Sequence, residues 1–174
     1  MLAKRLITLL LAVGVSAAPL EKRNAATVVT HLNAIATDIS DLSTTLDSFD
    51  GTLTGAVDVE YAEIDLEDSL SAAIDEVTAS IKFATAGSTT VTNAVTALQP
   101  EILSILTKLV DNKSGFASAG VESVVLANLQ SLQSLTDTLS TETQAKVTAT
   151  DKATIASDIA EIDAAYSEAI AAFS

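Results

Sequence analysis

The stretch Val28-Val29-Thr30-His31-Leu32-Asn33-Ala34-Ile35-Ala36-Thr37-Asp38-Ile39-Ser40-Asp41-Leu42-Ser43-Thr44-Thr45-Leu46-Asp47-Ser48-Phe49 decides how this chain folds. Val28, Leu32, Ile35, Ile39, Leu42, Leu46 and Phe49 recur in alternating steps of four and three residues. On an α-helix such steps return to one face, whereas a half-buried strand would alternate every second residue. The pattern therefore predicts an amphipathic helix over Ala25 to Ser48. It is broken by Asp50-Gly51-Thr52-Leu53-Thr54-Gly55, where two glycines permit a turn.

The same spacing recurs along the rest of the chain. A second helix is expected over Ala56 to Ala86, with Val59, Leu66, Leu70, Ile74, Val77, Ile81 and Ala84 on its main stripe and Gly87 as its stop. Val57, Tyr61 and Ile64 fall on nearly its opposite side, so its first turns are apolar twice over. A third helix is expected over Thr89 to Val110, with Val91, Val95, Leu98, Ile102, Ile105, Leu106 and Leu109 inward and a kink or split near Gln99 caused by Pro100. Asp111 to Gly115 reads as a loop. A fourth helix is expected over Ala117 to Ser140, with Val121, Val125, Leu129, Leu132, Leu135 and Leu139. A fifth, capped by Asp151, carries Ile155, Ile159, Ile162, Tyr166, Ile170 and Phe173. Strand signals are nearly absent. The expected fold is all-α, a five-helix antiparallel bundle of amphipathic helices.

The N-terminus reads as a secretory leader. Lys4 and Arg5 precede an apolar run, Leu6 to Val15, and Ser16-Ala17-Ala18 supplies small residues for cleavage. The run is roughly half the ~20 residues that span a bilayer. Lys22-Arg23 then forms a dibasic processing site. The expected division is a signal peptide over residues 1–18, a propeptide over 19–23 and a helical-bundle domain over 24–174, secreted or associated with a cell wall, with no integral membrane segment after processing. Without the leader, five basic and 22 acidic residues remain, and the net charge falls from −14 to −17. So negative a surface repels phosphate backbones and anionic lipid headgroups, which argues against nucleic-acid partners. Cysteine is absent, so no disulfide staples the domain.

Catalytic and metal chemistry find little footing. His31 is the single histidine and sits at the edge of the first stripe, so a Ser-His-Asp arrangement would depend on it, and no nucleophile turn is present. Zinc sites built on His and Cys are excluded by count. Asp58, Glu60, Glu63, Asp65, Glu67 and Asp68 form the densest acidic run, but at helical spacing and without the glycine and ligand order of a calcium loop. No catalytic residue, metal ligand or cofactor is expected. Asn112-Lys113-Ser114 is an N-glycosylation sequon in an expected loop.

Two polar residues lie inside apolar stripes. Asn128 projects with Val121, Val125 and Leu132, and Glu63 with Val59, Leu66 and Leu70. Buried polar groups need partners. Either Asn128 fixes helix register or pairs with a neighbour's backbone, or one or both residues meet the polar head of a bound amphiphile. The stripes together nominate Leu32, Ile35, Ile39, Tyr61, Ile64, Leu70, Ile74, Leu98, Ile102, Val125, Asn128, Leu132, Ile159 and Tyr166 as ligand-contacting residues.

A leader ending in Lys22-Arg23, a cysteine-free Ala/Ser/Thr-rich helical domain, and the opening Val28 to Ile35 followed by Ile39, Leu42 and Leu46 make the chain resemble the fungal hydrophobic-surface-binding protein A family, which is related to cell-wall galactomannoproteins. The resemblance covers Asn24 to Ser174. It implies two activities: adsorption to hydrophobic solids with recruitment of secreted esterases, and enclosure of a fatty acid or other apolar ligand within a helical bundle. A structural wall mannoprotein without a pocket is the alternative reading.

Overall fold

A computed structural model describes residues 24–174. The expected signal peptide and propeptide lie outside the described residues. Six helices follow one another: α1 Ala25–Ser48, α2 Leu53–Ala79, α3 Thr85–Asp111, α4 Lys113–Ala119, α5 Glu122–Lys146 and α6 Ala149–Phe173. No strand occurs among the described residues.

The five long helices close into a ring. In space α1 packs on α2, α2 on α5, α5 on α6, α6 on α3 and α3 back on α1. Short links make successive long helices alternate in direction. With five members, however, alternation cannot be kept around the ring, and some neighbours must run parallel. Hydrogen bonds between helices reveal which. Thr96 donates to Asp158 at 2.8 Å and Gln99 to Glu161 at 2.7 Å, so α3 and α6 advance together. Asn128 donates to Glu60 and Glu63, and Lys146 to the carbonyls of Thr78 and Ser80, so α5 and α2 advance together. Gly87 lies against Ala25 at one end, and Lys108 donates to Ser43 and Asp47 and Asn112 to Leu46 O at the other, so α1 and α3 advance together as well. The expected antiparallel bundle is thus corrected to a ring of mixed direction. The core runs along its centre, from Val28, Leu32 and Ile35 on α1 to Ile162, Tyr166 and Phe173 on α6.

The expected count of five helices is also corrected. The stretch read as a loop and the start of a fourth helix forms the separate short α4. Its Phe116 is buried and stacks on Phe49, with ring centroids 4.5 Å apart, and meets Phe173 edge-on at 6.1 Å. Gly120 ends α4 in the left-handed region at φ 76°, a conformation that suits glycine and lets α5 start in a new direction. Gly115 is required by a close approach. A Cβ there would lie 2.7 Å from Phe49 Cε1 and 3.3 Å from Gly51 Cα. Gly115→Ala should therefore push Phe49 off Phe116 and lower stability by roughly 1–3 kcal/mol, despite the better helix propensity of alanine. Urea unfolding at an unchanged m-value would check it.

Other boundaries moved for identifiable reasons. α2 stops at Ala79, seven residues early, because the Lys146 ammonium caps its last carbonyls and Phe83 N–H donates to Lys146 O at 2.8 Å. Ile81, expected in the α2 stripe, is exposed. Gly87 is no stop: it lies in the first turn of α3, where a Cβ would come within 2.9 Å of Ala25 Cβ on α1. Pro100 does not split its helix, since α3 is continuous from Thr85 to Asp111. Thr148, not Asp151, is the N-cap of α6. Its hydroxyl accepts from Asp151 N–H, while the Asp151 carboxylate accepts from the hydroxyls of Thr148 and Ser88. Asn24 caps α1 by accepting from Ala26 and Thr27 N–H at 2.9 and 3.2 Å. No described helix is long and apolar enough to cross a membrane.

Candidate ligand-binding site

A ring of five helices meets imperfectly along its axis, and a cavity lies there. All five long helices contribute to its wall: Leu32 and Ile35 from α1, Leu70 from α2, Val95, Leu98 and Ile102 from α3, Thr136, Leu139, Ser140 and Thr143 from α5, and Ile155, Asp158, Ile159 and Ile162 from α6. Its volume is about 40 Å³.

The polar members of that wall are largely occupied. Thr136 and Thr143 each donate to the carbonyl four residues back, on Leu132 and Leu139, both at 2.7 Å. Such back-bonding takes up the hydroxyl donor within its own helix. The Asp158 carboxylate accepts from Thr96, and Ser140 Oγ accepts from Gln144 at 3.0 Å. A hydroxyl that only accepts still has its own proton to give. Ser140 is therefore the wall's available donor.

The nominated residues divide by place. Leu32, Ile35, Leu70, Leu98, Ile102 and Ile159 meet around this cavity. Leu132 is buried in the core, Ile74 is half-buried against it, and Ile39 borders a groove beside Pro100. Tyr166 is buried with its hydroxyl 3.5 Å from Thr136 Oγ1, and burial pushes it up to about 12. Tyr61 and Ile64 are 64% and 42% exposed on the outside of α2, far from any lining role in the axial cavity. They continue a line that starts at Leu53 and Val57, also exposed. His31 is half-buried at the edge of the α1 stripe. Asn112 is half-buried at the α3–α4 junction, and its Nδ2, the atom a glycan would take, donates to Lys108 O at 3.0 Å and Leu46 O at 3.3 Å. Attachment there would give up at least one of these bonds.

Thr136, Ser140 and Thr143 were not nominated from the sequence. A signal existed: Leu132, Thr136, Leu139 and Thr143 advance by four, three and four, so the threonines continue the α5 stripe.

Val125 belongs to a second pocket, and Asn128 reaches two of its wall residues, Glu60 and Glu63. The pocket is lined by Ala56, Val57, Val59, Glu60 and Glu63 from α2, Phe116 from α4, and Val121, Val124 and Val125 at the start of α5, together with Leu53. Asn128 Nδ2 donates to Glu60 Oε2 and Glu63 Oε2, both at 2.7 Å. It thus pairs with a neighbour's side chains rather than with backbone. Glu63 is 1% exposed, and burial pushes its carboxyl up to about 7 against the lowering effect of Asn128.

The sequence model of a family described as hydrophobic surface binding protein A matches residues 25–145. Among solved structures, AFMP4P in complex with palmitic acid is 44% identical, with a TM-score of 0.85 over 87% of this chain and 100% of that one. Ligand binding domain 1 of the Penicillium marneffei MP1 protein, complexed with arachidonic acids, is 16% identical, with a TM-score of 0.80 over 86% of this chain and 99% of that one. Domain 2 of the same protein, also with arachidonic acids, is 17% identical, with a TM-score of 0.78 over 83% and 92%. At such identities the two domains speak to fold alone. No curated protein matches the chain. The family match spans most of the described bundle, and on it the chain belongs to the hydrophobic surface binding protein A family.

Proposed function

We propose that this chain is a secreted, non-catalytic carrier that holds a fatty acid along the axis of its helical ring. The observation that carries the reading is the axial cavity, walled by Leu, Ile and Val from all five long helices. The likeness to a palmitic-acid complex at 44% identity over the full length of that chain supports it. The acyl chain lies among Leu32, Ile35, Leu98, Ile102 and Ile159, and the carboxylate accepts from the Ser140 hydroxyl.

Volume dictates how the ligand enters. The cavity of about 40 Å³ is well below the ~150 Å³ that takes up benzene. Holding an acyl chain therefore requires the helices to part. Burying methylenes at ~0.8 kcal/mol each gives a sixteen-carbon chain on the order of 12 kcal/mol gross, against which ordering and parting are set. Links of a few residues between helices, such as Val147-Thr148, allow neighbours to move as rigid rods.

Native mass spectrometry of delipidated protein with added palmitate tests the reading. One palmitate per chain is expected. Spectra that hold only ligand-free protein at saturating palmitate would overturn it.

A second reading rests on the exposed line Leu53, Val57, Tyr61 and Ile64 along the outside of α2. That contiguous apolar strip is an adsorption face for a hydrophobic solid, on which a secreted esterase would be the partner recruited. Replacing all four residues with serine should reduce adsorption to polystyrene beads at least several-fold while palmitate uptake persists. Equal adsorption of parent and variant, or of the parent to silica and polystyrene, would sink this role. Adsorption should also rise toward the pI of about 4.1, where self-repulsion fades.

A further inference from the structure

The second pocket shares no wall residue with the axial cavity. Its volume is about 190 Å³, above the ~150 Å³ that accommodates benzene. Val59, Phe116 and Val125 form a buried apolar floor, while Val57 and Val124 are exposed at its mouth.

What sets this pocket apart is its charge. Glu60 and Glu63 both accept from the single Asn128 amide, which uses both of its N–H groups. Glu63 Oε1 is buried and has no hydrogen-bond partner. No cation among the described residues pairs with either carboxylate; the ion pair recorded there joins Lys108 to Asp47 on α3 and α1. A buried carboxylate with a free acceptor and no counter-charge is costly. Burial accordingly raises the proton affinity of Glu63, and the neighbouring charges of Glu60 and Glu67 add to that.

We propose that this pocket is a second ligand site, which takes the ammonium head of a long-chain primary amine at Glu63 and Glu60 and its first methylenes against Val59, Phe116 and Val125. An alkylammonium has three donors and no acceptor, and it brings the positive charge the site lacks. A carboxylate head would add a third negative charge beside two others and is excluded. An alcohol offers one donor and no charge, so it binds more weakly. The remaining alkyl chain leaves through the mouth along Val57 and Val124.

The test uses octylamine at pH 8, where the amine is protonated, with octanol and octanoate as comparisons, read by isothermal titration calorimetry and native mass spectrometry. One octylammonium per chain is expected, with octanol at least tenfold weaker and octanoate unbound at this pocket. Glu63→Gln keeps shape and hydrogen bonding but removes the charge, and should weaken octylammonium at least tenfold. Val57→Phe blocks the mouth from an exposed position, so it leaves the core intact and should weaken it too. Palmitate uptake should be unchanged in both variants, and palmitate should not displace the amine. Failure of palmitate to bind the parent would count against the carrier reading alone. Absence of octylamine uptake, equal binding of octanol, undiminished binding in both variants, or displacement by palmitate would each overturn the amine site.

Discussion

At pH 8, Glu63→Gln should melt about 6 °C or more above the parent chain, whereas at pH 4 the two should melt together. The reason is linkage. Glu63 is 1% exposed, and its folded-state proton affinity is pushed up to about 7 from an ordinary 4.5, chiefly by burial. Below pH 4.5 the carboxyl is neutral in both folded and unfolded chains, and burial carries no ionic penalty. Between 4.5 and 7 the folded chain binds more protons than the unfolded one, so stability falls as pH rises. Above 7 the loss is complete. A shift of this size corresponds to about 3 kcal/mol. For a domain of this length each kcal/mol moves the melting temperature by about 2–4 °C. Glutamine mimics the neutral acid at every pH, so it removes the loss while still accepting from Asn128.

Asp137 acts in the same direction. Burial and the hydrogen bond and charge of Asp163 push it up to about 6, so it too favours the folded chain at mildly acid pH. Solvent exposure makes its contribution smaller than that of Glu63. Asp50 is shifted the other way, held ionised by hydrogen bonds from Thr52, but it is exposed at a helix start. The expected profile is therefore a chain more stable near pH 5 than at pH 8, measured by thermal denaturation across that range. A parent whose melting temperature is flat from pH 4 to 8, or a Glu63→Gln variant that keeps the parent's slope, would remove Glu63 as its cause.

How much of this was legible before the fold was known differs by helix. α1 was readable from end to end, because one unbroken stripe and Asn24 leave no competing assignment. Phe49, last in that stripe, lies beyond the helix, yet it keeps its inward course and stacks on Phe116. α2 was readable only on one side. Each member of a five-helix ring has one inward face, so its second apolar line, Val57, Tyr61 and Ile64, had to face out or toward α5. Periodicity records that the helix is two-sided without recording which side the ring takes. The parallel pairing of α3 with α6, of α2 with α5 and of α1 with α3 was not legible at all, since it depends on contacts between residues about 60 or more positions apart. α4 was missed because seven residues are too few to show a period, and its decisive feature is a single aromatic side chain. In the axial wall the aliphatic residues announced themselves. Thr136 and Thr143 did not, because their hydroxyls look like surface until back-bonding removes them from the donor count.

Leu139→Ala should lower stability by roughly 2–5 kcal/mol and, unlike other core truncations, should enlarge the stabilisation that palmitate confers. Leu139 is buried on α5 and lines the axial cavity. Truncation removes its packing and leaves a larger void, both of which destabilise a core that relaxes only in part. The same void is space the acyl chain no longer has to open, so the free energy of parting the helices falls and affinity rises. Bound ligand stabilises the folded chain by RT ln(1 + [L]/Kd), about 2.7 kcal/mol at a hundredfold excess over Kd, and each tenfold gain in affinity adds about 1.4 kcal/mol. Leu109→Ala is the matched comparison. Leu109 is fully buried in the same core but outside the axial wall, so its loss should weaken the fold to a similar degree without changing the ligand-induced shift. Melting each variant with and without palmitate separates the two effects. If Leu139→Ala and Leu109→Ala gain equally from palmitate, the acyl chain does not lie along the ring axis. If only Leu139→Ala gains more than the parent, the small size of the axial cavity is the barrier the ligand meets on entry, and the Leu/Ile/Val stripes that close the ring are the surfaces that open to receive it.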